Sequence, residues 1–263
     1  MDILKRELAP LTDEAWDEIE SKAKEVLENH LSARKAVHVK GPFGLEYTVL
    51  SEGRLKNLEE EEEFCAGIYE VKPLIETRFS FQLNKWEMDN LSRRAKDIDL
   101  SPLEKAVKKS ALFEENVIYN GYKAANIQGL LEASTNKVLP FGDNAAEIMA
   151  SLSQAILFLK DAFVSKPYSL IVGKEAWIKI NMETEGYPLK KQIENLIGSE
   201  IIYSELIDGA LVLPYDNEDI EMTIGNDFSI GYENSDDKIV QLFITESFTF
   251  RILDPKLIVR FTI

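Results

Sequence analysis

From Glu46 to Leu83 the chain drops helical spacing and runs as extended segments, a stretch that restricts its possible folds more than any other. Tyr47, Val49 and Leu55 precede an acidic run, Glu59 to Glu63. Ile68, Val71, Ile75, Phe79, Phe81 and Leu83 follow it with partial period-two alternation, the spacing of β-strands. The pattern predicts two long arms of a β-rich excursion with the acidic run at or near its tip, where the plainer reading of that run is a solvated turn. A long excursion of this kind cannot bury both faces against its own chain, and an uncovered strand pair is a template for pairing with another chain. The polypeptide is therefore expected to reach its stable state only in an obligate assembly.

Helices flank the excursion. Thr12 reads as the N-cap of a first helix with Asp13 and Glu14 in its first turn, and Trp16, Ile19, Ala23, Val26, Leu27 and Leu31 make one apolar stripe to about Ala36. Ser101, Pro102 and Glu104 read as N-cap, first helical position and capping-box partner of a long helix to about Lys123. A third helix begins after Asp143 with apolar residues from Ala145 to Leu159. Short strands at Tyr168–Val172, Ile201–Tyr203 and Ala210–Leu213 alternate with a helix after Gly173 and a helix from Leu189 to Ile197 that stops at Gly198. Together these predict a compact α/β subdomain over about 135–218, inserted into a body made from both ends of the chain. The tail is β-rich, with strands at Ile220–Ile224, Asp227–Tyr232, Lys238–Leu253 and Leu257–Ile263.

Composition narrows the function. The chain carries 46 acidic against 30 basic residues, a net charge of −16, so nucleic acid is not an expected partner. The negative balance serves solubility or sets up a field for metal cations. No apolar run is long enough to span a bilayer, so no membrane partner is expected, and the first residues show no secretory h-region. The lone Cys65 excludes an intrachain disulfide and fits a reducing cytoplasm. Catalytic constellations are missing: only His30 and His38 can serve as histidine bases, neither has zinc-type spacing, and there is no Gly-x-Ser-x-Gly, Walker or Gly-x-Gly-x-x-Gly motif. Cys65 lies beside five glutamates, which disfavour its thiolate. The acids nominate no pair for acid–base work. A structural role is expected rather than an enzymatic one.

Five stretches in chain order resemble the encapsulin shell proteins of family 1, the linocin-like type. They are Ile3 to Thr12 with Trp16, Val39-Lys40-Gly41-Pro42-Phe43-Gly44, Trp86-Glu87-Met88-Asp89-Asn90-Leu91, Asp227 to Glu233, and Leu242 to Phe250. The resemblance implies an α+β fold of the tailed-phage, Hong Kong 97-type, major capsid class. Its parts here would be an N-terminal helix with the start of a peripheral domain (1–45), an extended loop (46–83), the peripheral domain with its spine helix (84–134), an axial domain (135–218) and C-terminal peripheral strands (219–263). It also implies an icosahedral nanocompartment of about sixty copies in the cytoplasm.

The resemblance further implies a cargo enzyme, a ferritin-like iron oxidase or a dye-decolorising peroxidase, held through a C-terminal targeting peptide. Leu31, Arg34, His38 and Ile230 correspond to the peptide's contacts, apolar anchors with a charged rim, and Leu31 and Ile230 read equally well as core residues. His38 stands where an acidic residue is expected in some relatives. Glu183, Glu185 and Tyr187 correspond to a five-fold pore loop, and rings of carboxylate there favour cations. Trp86 corresponds to a flavin-stacking position in some relatives, with Arg78 for the phosphate of FMN or another flavin. A viral capsid protein of the same fold, or a hydrolase or bacteriocin as relatives have been labelled, are the alternatives.

Overall fold

The computed structural model describes residues 3–60, 64–182 and 186–263. In chain order the elements are α1 (Asp13–His30), β1 (His38–Lys40), β2 (Val49–Glu60), β3 (Cys65–Pro73), β4 (Ile75–Asn84), α2 (Lys85–Ser92), α3 (Ser101–Asn120), α4 (Leu130–Ala133) and β5 (Leu139–Pro140). Then come α5 (Ala145–Asp161), β6 (Tyr168–Val172), α6 (Lys174–Met182), α7 (Leu189–Ile197), β7 (Ile201–Tyr203), β8 (Ala210–Pro214), β9 (Ile220–Ile224), β10 (Ser229–Ser235), β11 (Ile239–Ile252) and β12 (Val259–Thr262). The chain divides into two compact units, one of Met1–Ala23, Lys40–Ser110 and Thr223–Thr249, the other of Lys24–Val39, Ala111–Met222 and Phe250–Ile263.

In the first unit β2 and β3 form an antiparallel hairpin, from Val49 opposite Pro73 to Glu60 opposite Cys65. The pairing shifts register between Ser51 and Leu55, where Gly53 takes φ 68°, a left-handed conformation natural to glycine. All but one residue of β3 is exposed, so both faces of that strand meet water. The expected second arm is thus split. Leu74 N–H donates to Thr48 O at 2.9 Å to close the base of the hairpin, and Ile75–Asn84 leaves the excursion to pair with β11 over ten residues. The difference lies in burial: β4 turns Thr77, Phe81 and Leu83 inward at period two, whereas β3 has no buried face. β10 pairs with the other edge of β11, with Ser229 opposite Thr245.

Thr12 caps α1 as expected, its hydroxyl oxygen accepting Ala15 N–H at 3.3 Å, and Arg6 lies over the Trp16 ring at 4.2 Å while pairing with Glu20. The helix ends at His30 rather than near Ala36, because Ser32 and Ala33 turn inward to bond a buried carboxylate. The spine helix α3 includes Ser101 itself, and Asp99 Oδ1 accepts Ser101 N–H at 3.0 Å, taking the role expected of Ser101. It stops at Asn120, three residues short of the expected end. Gly121 follows with φ 83°, where any Cβ would stand 2.7 Å from Ile127 O.

The second unit holds a mixed sheet in the order β5-β12-β8-β6-β7. β6 and β8 are buried at every position, as strands covered on both faces must be. Leu152, Ile156 and Leu159 of α5 and Ile193 and Ile197 of α7 join Tyr168, Leu170, Val172 and Val212 in one core. Asn144 caps α5 by accepting Glu147 N–H at 3.0 Å, and the Glu147 carboxylate accepts Asp143 N–H at 2.9 Å. The last strand, expected among the peripheral strands, joins this sheet instead. β12 pairs with β5 and β8, and Phe261 meets Phe141 edge-on at 5.8 Å, because its alternating Val259 and Phe261 need that core to leave water.

Candidate functional site

The β2–β3 hairpin is the first candidate surface. Val49, Leu55, Ile68, Tyr69 and Val71 project from it 45–66% exposed, an apolar content that a solvated hairpin does not need. Cys65 is exposed on β3. Glu59 and Glu60 end β2, while Glu61, Glu62 and Glu63 lie outside the described residues.

The second candidate is the turn after α1, which carries most of the expected cargo contacts. Leu31 is buried, contrary to an exposed docking position, because it completes the apolar stripe of α1. Arg34 forks onto Glu114 of α3, its Nε at 2.9 Å and Nη2 at 2.6 Å from the carboxylate, and Glu114 is wholly buried. Next to it Glu115 accepts Ala33 N–H at 2.8 Å and bonds the Ser32 hydroxyl. Its carboxyl is pushed up to about 7, chiefly by burial, against the hydrogen bonds from Ser32 and Ala33. His38 opens β1, with Nδ1 2.6 Å from Asp216 Oδ1. Ile230 belongs to the other unit, on β10 opposite Ile244, and is buried there, so it too serves packing within the chain.

The expected pore loop, Met182 to Tyr187, is described at Met182, Gly186 and Tyr187. Glu183 and Glu185 lie outside the described residues. Tyr187 is exposed, its carbonyl accepting Gln192 Nε2–H at 2.8 Å and so tied to α7.

Trp86 and Arg78, the expected flavin residues, make separate contacts in the isolated chain. Trp86 is 66% exposed in the first turn of α2, which offers an aromatic face, but the cation beside it is Arg93, 5.0 Å from the ring. Arg78 instead lies 4.1 Å over the Phe243 ring, six strand residues before Asn84, a distance of about 20 Å at the rise of a strand. Among the described residues no group of three or more His, Cys, Asp or Glu side chains is placed to hold a metal ion, and no helix is long and apolar enough to cross a membrane.

Sequence reasoning missed Glu114, Glu115 and Tyr119. The signal was present: Leu103, Val107, Ala111, Glu114 and Ile118 follow one helical track, and an acid within an apolar stripe demands a buried partner. It also missed a cleft of about 670 Å³ in the second unit, where Trp177, Tyr203 and Tyr215 stand with Glu28 and Glu200.

Residues 1–249 match the protein family described as "encapsulating protein for peroxidase". The chain is 38% identical over 252 residues to the type 1 encapsulin shell protein of Mycolicibacterium paratuberculosis, covering 95% of each chain. It is 31% identical over 259 residues to that of Brevibacterium linens, covering 96% of each. In structure it is similar to a virus-like particle protein from Pyrococcus furiosus, with a TM-score of 0.68 at 18% identity over 93% of this chain and 98% of the other. The capsid protein of Myoviridae phage XM1 gives 0.58 at 10% identity over 88% and 90%. The α+β fold is thus that of the phage major capsid proteins. With whole-length relatives at this level of identity, the chain belongs to the family of type 1 encapsulin shell proteins.

Proposed function

We propose that this chain is the wall unit of a closed, self-assembled nanocompartment in the cytoplasm, that it encloses a cargo enzyme, and that its role is structural. The observation that carries the reading is the β2–β3 hairpin, a twelve-residue strand paired with a nine-residue one. It holds Leu55, Ile68, Tyr69 and Val71 out on a ribbon half or more exposed to water, and such a ribbon is satisfied by a neighbouring copy. Icosahedral closure with about sixty copies follows if each chain meets its neighbours in equivalent ways.

The cargo reading is finer. A targeting peptide from the cargo's C-terminus would meet the turn after α1, where Arg34 and His38 keep 17% and 21% of their side chains in contact with water. Leu31 would act behind that surface, as its packing. Of the two cargo types, a peroxidase is favoured by the description of the matching family, with a ferritin-like oxidase second. Glu183, Glu185 and Tyr187 would line a pore for small cations.

Electron microscopy of the purified protein tests the central claim. Uniform hollow cages are expected, and a monodisperse 29.9 kDa species at high concentration would refute it. Mass spectrometry of proteins retained in the cages identifies the cargo. The likeness to phage capsid proteins supports a second reading as a viral capsid; portal and terminase genes beside this one would favour it.

A further inference from the structure

Beneath the turn that follows α1 runs a chain of buried polar groups. One oxygen of the Glu115 carboxyl accepts Ala33 N–H at 2.8 Å, and the other is bonded to the Ser32 hydroxyl. Ser32 Oγ lies 2.7 Å from the Tyr119 hydroxyl, which in turn reaches the side chain of Ser204. All four side chains are withdrawn from water: Ser32 at 4% exposure, Glu115 at 1%, Tyr119 at 0% and Ser204 at 2%. The turn they hold is short and tight, with Lys35 N–H donating to Ser32 O, and Ala36 and Val37 N–H both donating to Ala33 O.

The charged groups around Glu115 are few. On its own helix Glu114 repels its anion, and on the facing turn Arg34 is drawn onto Glu114 through a two-pronged contact. Tyr119 is a neutral phenol, held so by burial and then by the charge of Glu115, and Ser204 contributes only a hydroxyl. The relay has two proton arrangements that leave every group bonded. With Glu115 ionised, Ser32 and Ala33 donate to it and the phenol donates to Ser32. With Glu115 protonated, the acid donates to Ser32 and the order of donors along the relay reverses. Only the first arrangement places a charge in the interior, and that charge is costly there.

We propose that Glu115 is a pH-operated latch, whose neutral form fastens the segment from Leu31 to Val37 to α3 and whose ionised form loosens it. The direction follows from linkage. The latched state binds the proton more tightly than the opened state, so the latch holds fully below about 4.5, the ordinary value for a glutamate. It weakens as pH rises through about 7. The segment carries Arg34 and leads into His38, so in a shell the latch would set how firmly the wall presents its cargo-binding turn. That consequence rests on the function proposed above, whereas the latch itself is a property of the folded chain.

Hydrogen–deuterium exchange of the full-length protein, corrected for intrinsic exchange rates, tests it. Protection of the amides of Lys35, Ala36 and Val37 is expected to fall at least about tenfold between pH 5.5 and pH 8 in the unmodified chain. In Glu115→Gln the amide accepts from Ala33 and donates to Ser32 as the protonated acid does, and protection is expected to stay at its acid level across that range. Ser32→Ala removes a donor to the anion and is expected to move the midpoint to higher pH. Matching profiles in the unmodified chain and Glu115→Gln, or an unmoved midpoint in Ser32→Ala, would overturn the proposal. Absence of cages by microscopy would count against the shell reading alone, since the exchange profile does not depend on it.

Discussion

Phe163 closes α5 with φ 63°, its N–H donating to Lys160 O and the next N–H, from Val164, reaching back to Leu159 O. This is the helix terminus at which glycine is usual, and α7 in the same unit does end on one, Gly198, at φ 83°. Phe163 bears a β-carbon in that conformation and keeps 98% of its surface in water, so the chain gains no burial in return. The left-handed conformation costs about 1–2 kcal/mol and glycine returns about 0.5–1 kcal/mol as unfolded-state entropy, so Phe163→Gly is expected to raise stability by about 0.5 kcal/mol, seen as a higher thermal midpoint. The opposite outcome is expected for Arg34→Ala, which strands the wholly buried Glu114 carboxylate and should cost about 3 kcal/mol in chemical denaturation. At this scale the sequence is only partly legible. Arg34 and His38 stand out as candidates, but their acidic partners, Glu114 and Asp216, are 80 and 178 residues away along the chain, beyond the reach of any local pattern.

Among the elements, the β2–β3 hairpin carries the strongest prediction. Replacing Ile68 and Val71 with serine leaves the core untouched, since both are half-exposed, so circular dichroism is expected to be unchanged. Loss of cages by size-exclusion chromatography is expected from the same variant, because the apolar contacts to a neighbour are gone. Elements governed by local signals are read from the sequence to the residue: β6 by its apolar run, and α7 by its spacing and terminal glycine. Where a tertiary contact sets the boundary, the reading overshoots. α1 is stopped by Glu115 from below, and α3 by the close approach of the Gln128–Gly129 backbone to Gly121. The extended arm could not be divided at Leu74 from the sequence, since its alternation continues through the point where β4 finds β11. Helix α2 also escaped notice, being short and lacking a full apolar stripe.

For the whole molecule, charge is the controlling quantity. Each chain carries −16, so copies packed side by side repel one another over a range that salt sets, about 8–10 Å at physiological ionic strength. Assembly, followed by light scattering, is expected to rise as sodium chloride increases from about 20 mM to about 300 mM. The fold class is legible through the family resemblance of the five stretches, and the order of helices and strands agrees with it. The placement of β12 does not, because a β-strand's alternation says that one face is buried without saying against which sheet. The continuity of the hairpin with β4 has a mechanical side. Tension on the ribbon from an adjoining copy enters β4 lengthwise, and ten consecutive positions opposite β11 then share the load in shear instead of parting one after another. A container strained by its contents would hand that stress to the ten paired positions of β4 and β11, and the ribbon that an isolated chain leaves exposed would become its means of bearing force.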